Sequence, residues 1–327
     1  MRMFHRAALA AGVLAVASVA TGPMTVQAQD LPENLHFLIP GGAGGGWDGT
    51  ARGVGEALTN AELVDSASFE NLSGGGGGVA IAHLIETADR QHDTLMVNST
   101  PIVIRSLTGV FPQNFRDLTP IASVVADYAA LVVGADSEFE TFQDVVAAFE
   151  ADPGSVLVAG GSVRGGMDHM VAELTFTATG ADVGQVAYVP YDAGGEAFTS
   201  ILSGETQLLS TGVSEVVGPH NQGQVRILAI TAEERLGELP DVPTLTELGY
   251  DVVFANWRGF FGAPGLPDER ADAYAAMLGE LMETEAWEEV RSRLALSTFF
   301  HPREDFVAFL EGNEQQIGDL LRSLGVL

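Results

Sequence analysis

Thirteen consecutive residues, Pro40-Gly41-Gly42-Ala43-Gly44-Gly45-Gly46-Trp47-Asp48-Gly49-Thr50-Ala51-Arg52, carry the chain out of an apolar, strand-like run and into helix-like sequence. Glycines leave the backbone N–H groups uncovered, and where such a loop opens a helix those groups converge at the positive end of its dipole. An anion is the natural occupant. The arrangement recurs at Asn71-Leu72-Ser73-Gly74-Gly75-Gly76-Gly77-Gly78 and at Gly160-Gly161-Ser162-Val163-Arg164-Gly165-Gly166-Met167-Asp168-His169. The first and third loops, facing each other across a cleft, would suit a small molecule with a carboxylate at each end. The second loop reads either as another anion-facing terminus or as a flexible connection. Asp48 is placed to cap the first helix by accepting from N–H groups near Ala51, and Trp47 reads either as a pocket wall or as a core residue.

Catalytic signatures are weak by comparison. Gly160-Gly161-Ser162-Val163 continues with Arg164, so the nucleophile-elbow pattern fails; HExxH is absent, and no His lies four residues from another. Asp168-His169 fits a helix-start Asp beside a structural His better than a metal or base pair. Gly44 to Gly49 satisfies GxGxxG, with Glu70 at the distance of a ribose-binding acid. Against a dinucleotide stand the bulky Trp47 and anionic Asp48 inside the phosphate turn, a second glycine loop directly after Glu70, and an export signal. No catalytic residue, cofactor or metal is expected.

Composition narrows the field further. The chain has 44 Asp plus Glu against 15 basic residues, all of them Arg, and a net charge of −29. Without Lys there is no Walker-A loop and no Schiff base, and such an acidic surface repels nucleic acid. Acidic residues spread through the chain without Lys read as a salt-adapted solvation surface, since at molar salt the Debye length falls to ~3 Å. The 46% of hydrophobic residues in 327 can fill a large core, and a prior of ~150 residues per domain suggests two domains. With no Cys there is no disulfide, lipidated anchor or thiol nucleophile.

Residues 1–28 read as a signal peptide: Arg2, His5 and Arg6, then the uncharged Ala7 to Ala20, then Val26-Gln27-Ala28. The apolar run is short and Ala-rich against the ~20 residues of a membrane span. The destination expected is the periplasm.

Beyond it, β-type and helix-type runs alternate, the pattern of an α/β fold. Strands are read at His36 to Ile39, Ser68 to Glu70, Thr94 to Val97, Ala129 to Val133, Val156 to Val158, Val186 to Val189, Gln207 to Leu209 and Arg226 to Ile230. Helices follow the glycine loops. A capping-box pattern at Thr141 to Asp144 starts another, and after Trp257 long amphipathic helices are expected at Pro267 to Met282, Ala286 to Leu294 and Arg303 to Leu321. Two α/β lobes with a helical tail result, and ligands of open α/β sheets bind beyond the carboxyl ends of strands.

The order of several short motifs resembles the periplasmic solute-binding subunits of tripartite tricarboxylate transporters, the TctC-like or Bug proteins. They are the first glycine loop with Trp47-Asp48 and Ala51-Arg52; Glu70-Asn71; Phe115 to Ala122; Val189-Pro190-Tyr191; Gly223 to Ala229; Pro240 to Thr244 with Glu247-Leu248-Gly249; and Trp257-Arg258-Gly259 before Ala263-Pro264. The resemblance implies a two-lobed, type II-like periplasmic binding protein fold, with mixed sheets flanked by helices and a ligand cleft between the lobes. The division expected is 29–126 with 257–327 as one lobe and 127–256 as the other. It implies capture of a small carboxylate by N–H groups, hydroxyls and water, without an obligatory Arg, and delivery to two integral membrane subunits by a monomer. Carried onto this chain, the ligand contacts are Gly45, Gly46, Trp47 and Asp48; Ser99 and Thr100; Gly161 and Ser162; and Tyr191 and Asp192. Five successive Gly in the second loop depart from the family pattern. The alternatives are an α/β enzyme acting on a carboxylate with a nucleotide cofactor, and a sensory partner of a membrane kinase.

Overall fold

A computed structural model describes residues 31–182, 184–323 and 325–327; the segment read as a signal peptide lies outside them. Strand β1 (Asn34–Ile39) becomes fully buried toward its end, as a central strand covered on both faces must. The first glycine loop then leads into α1 (Gly46–Asn60), where Ala51, Val54 and Leu58 recur at helical spacing on the buried face. Gly53 and Gly55 let this helix lie close: an added Cβ would stand 2.7 Å from Val290 Cγ1 and 2.6 Å from Phe69 Cζ respectively.

Next come β2 (Ser66–Asn71), α2 (Gly78–Glu86), β3 (Thr94–Ser99) and α3 (Thr100–Leu107). Helix α3 was not expected from the sequence. Its Ile102-Val103-Ile104 run is β-branched, but Pro101 in the first turn presets the helical φ, and tertiary packing buries all three side chains.

Strand β4 (Thr119–Gly134) is one continuous strand of 16 residues, whereas only its last part is legible as a separate strand at Ala129. After it come α4 (Phe142–Ala151), β5 (Leu157–Gly160), α5 (Met167–Ala178), β6 (Ala187–Pro190) and α6 (Gly194–Leu202). The Thr141 box is formed, with Thr141 N donating to Asp144 Oδ2 over 2.8 Å and Asp144 N to Thr141 Oγ1 over 3.3 Å. Then follow β7 (Leu208–Gly212), α7 (Val213–Asn221), β8 (Val225–Ile230) and β9 (Ala255–Gly262). The chain ends with α8 (Asp268–Met282), α9 (Glu285–Arg293), β10 (Ser297–His301) and α10 (Arg303–Ser323). Trp257 itself is inside a strand, and the terminal helices lie within two residues of the bounds read from the sequence. Every residue of β9 after Ala255 is buried.

The sheet order is β2-β1-β3-β9-β4 in one half and β6-β5-β7-β4-β8 in the other. β4 belongs to both: Thr119 to Tyr128 pair antiparallel with β9, while Ala129 to Val132 pair antiparallel with β7. Each half thus repeats one topology, three parallel strands followed by an antiparallel crossing strand, which is the two-lobed α/β arrangement with the cleft at the carboxyl ends of the parallel strands. The halves also touch through helices, since Met167 and Met170 of α5 join the apolar cluster built around α2, α3 and α10.

Candidate functional site

The glycine loops after β1, β2 and β5 open on one cavity of about 450 Å³. Helices α1, α2 and α6 start at its wall, at Gly45, Gly77 and Ala193, with no side chain capping them. Their first N–H groups are left for water or an anion.

The first loop is held from behind. Asp48 Oδ2 accepts from Gly44 N over 3.0 Å, and Oδ1 accepts from Arg52 Nε over 2.8 Å and Asn71 Nδ2 over 3.0 Å. Asn71 Nδ2 also donates to Gly41 O over 3.0 Å. Asp48 therefore reaches back into the loop rather than forward to Ala51, because the helix already begins at Gly46. It is buried and does not line the cavity. Thr100 is likewise off the wall; its N–H donates to Asn256 Oδ1 over 3.2 Å.

The other candidate residues, Gly45, Gly46, Trp47, Ser99, Gly161, Ser162, Tyr191 and Asp192, do line the cavity. Trp47 is both wall and packing: its Nε1 donates to Ser99 Oγ over 2.9 Å, and its ring lies against the β1–α1 core. Ser162 Oγ accepts from Asp168 N over 3.1 Å at the start of α5 and sits 3.2 Å from Tyr188 Oη. The Tyr191 hydroxyl is closed off from solvent and has no hydrogen-bond partner. Across the cleft the loops approach so closely that a Cβ on Gly42 would lie 2.8 Å from Ala193 Cβ, and within the second half one on Gly161 would lie 2.3 Å from Gly194 N.

Three cavity-lining residues escape a reading of motifs: Arg105, Glu215 and Arg258 as a charged group. Arg105 is 4% exposed, and its Nε and Nη1 have no hydrogen-bond partner. Among the described residues every other Arg has a carboxylate or carbonyl within reach. Its guanidinium lies 5.6 Å from the Trp47 ring centroid, a cation–π contact. Burial lowers its pKa to about 10, with Asp168 and Tyr188 opposing the shift, so it stays charged at neutral pH. The second glycine loop explains itself here. Gly76, at φ +64°, packs on this head so tightly that a Cβ would stand 2.9 Å from Arg105 Cζ, and Gly74 to Gly77 all have positive φ.

Two acids face the same space. Burial pushes Asp168 up to about 7 against hydrogen bonds from Ser162 and Gly161 N–H and the charge of Arg105. Glu215 is pushed up to about 8, by burial first and then by Asp168. Arg258 is already engaged, donating to Asp127 and, over 2.8 Å, to Thr50 Oγ1. His169 does not complete a metal or base pair with Asp168: its Nδ1 accepts from Gly165 N over 3.0 Å and its Nε2 lies 3.4 Å from Glu173. No cluster of three or more metal-ligating side chains occurs among the described residues.

Comparison with known proteins agrees with this architecture. A relative in a Pseudomonas species, a UPF0065 protein encoded in the tcbD-tcbE intergenic region, is 25% identical over 270 residues, 81% of this chain and 78% of that one. The fold is shared with a Rhodopseudomonas palustris protein solved with adipate, at TM-score 0.81 and 20% identity over 90% of this chain and 99% of that one. It is shared too with MatC of the same organism, solved with bound malate, at TM-score 0.76 and 19% identity over 88% and 98%. Residues 50–326 match the model of the tripartite tricarboxylate transporter family receptor, and the chain belongs to that family.

Proposed function

We propose that this protein is an extracytoplasmic solute-binding protein that captures a small carboxylate, a di- or tricarboxylate, in the cleft between its lobes. The observation that carries the reading is Arg105. A guanidinium this buried, with two N–H donors unpaired and a cavity before it, is costly unless an anion completes it. The uncapped helix starts at Gly45 and Ala193 add donors aimed at the same space. The malate and adipate of the structural relatives support the same ligand class.

The lobes we assign are 29–126 with 257–327, and 127–256, closing as a hinge on β4 and β9. Closure is a population shift, so the ligand must touch both lobes. Ligand contacts are assigned to Gly45, Gly46, Trp47, Ser99, Gly161, Ser162, Tyr191 and Asp192, together with Arg105; Asp48 and Thr100 support the loops from behind. The mature protein, freed of residues 1–28 in the periplasm, acts as a monomer and delivers its ligand to two integral membrane subunits. No helix among the described residues is long and apolar enough to cross a membrane itself. A nucleotide-dependent enzyme is the weaker reading, because Glu70 is exposed, lies 3.5 Å from His36 Nε2 and is off the cavity wall. Titration with a panel of mono-, di- and tricarboxylates at high salt tests the proposal; a panel that leaves the melting temperature unmoved overturns it.

A further inference from the structure

Glu215, in the first turn of α7, lines the cavity. Part of its side chain reaches the surface, but Oε2 is closed off from solvent and has no hydrogen-bond partner. The carboxyl is wedged between two helix starts, where glycine leaves the room it fills. A Cβ on Gly46 would lie 3.1 Å from Oε1, and one on Gly194 would collide with Oε2 at 1.6 Å. Every element packed on it contributes to its state. Asp168 faces it from α5, Asp127 from β4 and Arg258 from β9, and Thr211 of β7 hydrogen-bonds the carboxyl. From α1 and α6 the residues packed directly against it are glycines.

Among the described residues lining the cavity, one cation, Arg105, has no carboxylate or carbonyl hydrogen-bonded to it, for a ligand with two negative ends. Arg258 is paired with Asp127, and Arg164 Nη2 donates to Tyr188 O over 2.5 Å. A second ligand carboxylate therefore needs a neutral donor, and an ionised acid in its place would repel it.

We propose that Glu215 is a specificity-determining residue of this cavity: its carboxyl, carrying a proton, donates a hydrogen bond to the second carboxylate of a linear dicarboxylate whose first carboxylate is held by Arg105. This rests on the carboxylate reading of the site. Burial and the two acids nearby, which hold Glu215 up at about 8, are consistent with a protonated acid at neutral pH. A dicarboxylate is then distinguished from an ω-amino acid of the same length, whose ammonium group would require the ionised form instead.

The test is calorimetric titration of the mature protein at constant high salt with adipate, with hexanoate and with the ω-amino acid of the same chain length. It is run at about pH 6.5 and about pH 9, on either side of the Glu215 transition. The expected result is that adipate binds tightest at the lower pH and weakens by about tenfold or more at the higher, as a pKa crossed by about one unit requires. Hexanoate should change little. Glu215→Gln keeps a donor that cannot ionise, so it should bind adipate nearly as wild type does at the lower pH and weaken less at the higher. The assignment is overturned if wild-type adipate binding is the same at both pH values, if the weakening is as large in Glu215→Gln as in the wild type, the part due to Asp168 being common to both, or if the ω-amino acid is preferred. Adipate and hexanoate binding alike with no dependence on residue 215 overturns only this assignment. Binding of none of the three at the lower pH overturns the carboxylate reading and this inference with it.

Discussion

Arg258 of β9 donates to Asp127 of β4, the strand paired antiparallel beside it, and both side chains are shut off from solvent. Ser214 of α7 adds its Oγ to Asp127 Oδ2 over 2.6 Å, and Arg258 Nη1 reaches Thr50 of α1 over 2.8 Å. One ion pair thus ties α1, α7 and both crossing strands together beneath the cavity. Removing one partner of a buried pair leaves the other charge uncompensated, at a cost of about 3–5 kcal/mol. Asp127→Ala should lose about that much in denaturant unfolding. An unchanged midpoint would mean that the pair does not hold the strands.

Asp168 and Glu215 make stability fall as pH rises. Their folded-state pKa values, about 7 and about 8, lie above the ordinary carboxylate range. Between that range and the folded values the unfolded chain has released protons that the native state keeps. The contribution is fully present near about pH 4 and is lost on the way to about pH 8. Asp168→Asn combined with Glu215→Gln should remove this slope, read as the difference between variant and wild-type stability curves. Parallel curves across the window would contradict the assignment.

Glycine at position 161 is demanded by the partner loop, since a Cβ there would stand 2.3 Å from Gly194 N. Forced overpacking costs about 1–3 kcal/mol, so Gly161→Ala should lose about that much stability in denaturant unfolding. Gly218→Ala serves as the control, because nothing lies within 4 Å of its added Cβ. Equal unfolding midpoints for the two variants would remove the close approach of the loops from the account.

The net charge of −29 carries its own expectation. Self-repulsion among carboxylates is screened as the Debye length falls from ~10 Å at 0.1 M to ~3 Å at 1 M salt. Thermal stability should therefore rise with sodium chloride over this range. A melting temperature independent of salt would make the salt-adapted reading of the surface wrong.

The glycine loops were legible because strand, glycine run and helix succeed one another in sequence, and the strands they follow are short. What such a loop does not reveal is where each side chain points. Asp48 and Thr100 sit in the expected loops yet turn away from the cavity, Asp48 because the helix starts three residues earlier than its capping pattern implies. Arg105 was hidden because it lies in α3, whose β-branched Ile102-Val103-Ile104 run gave no helix signal. Glu215 was hidden in α7, which carries Pro219 within it. Asp127 lies in the unrecognised first part of β4, and its partner Arg258 in a strand that was read as the approach to helices. In each case the residue owes its position to long-range packing, which no local pattern records.

Arg105 is the central claim, and the affinity of Arg105→Ala tests it most directly. With a dicarboxylate that binds the wild type, calorimetric titration should show a loss of about 2–5 kcal/mol, the cost of removing one partner of a buried charge pair. The variant's melting curve must stay cooperative for the result to count. A cooperative Arg105→Ala that binds the same dicarboxylate with wild-type affinity would contradict the account.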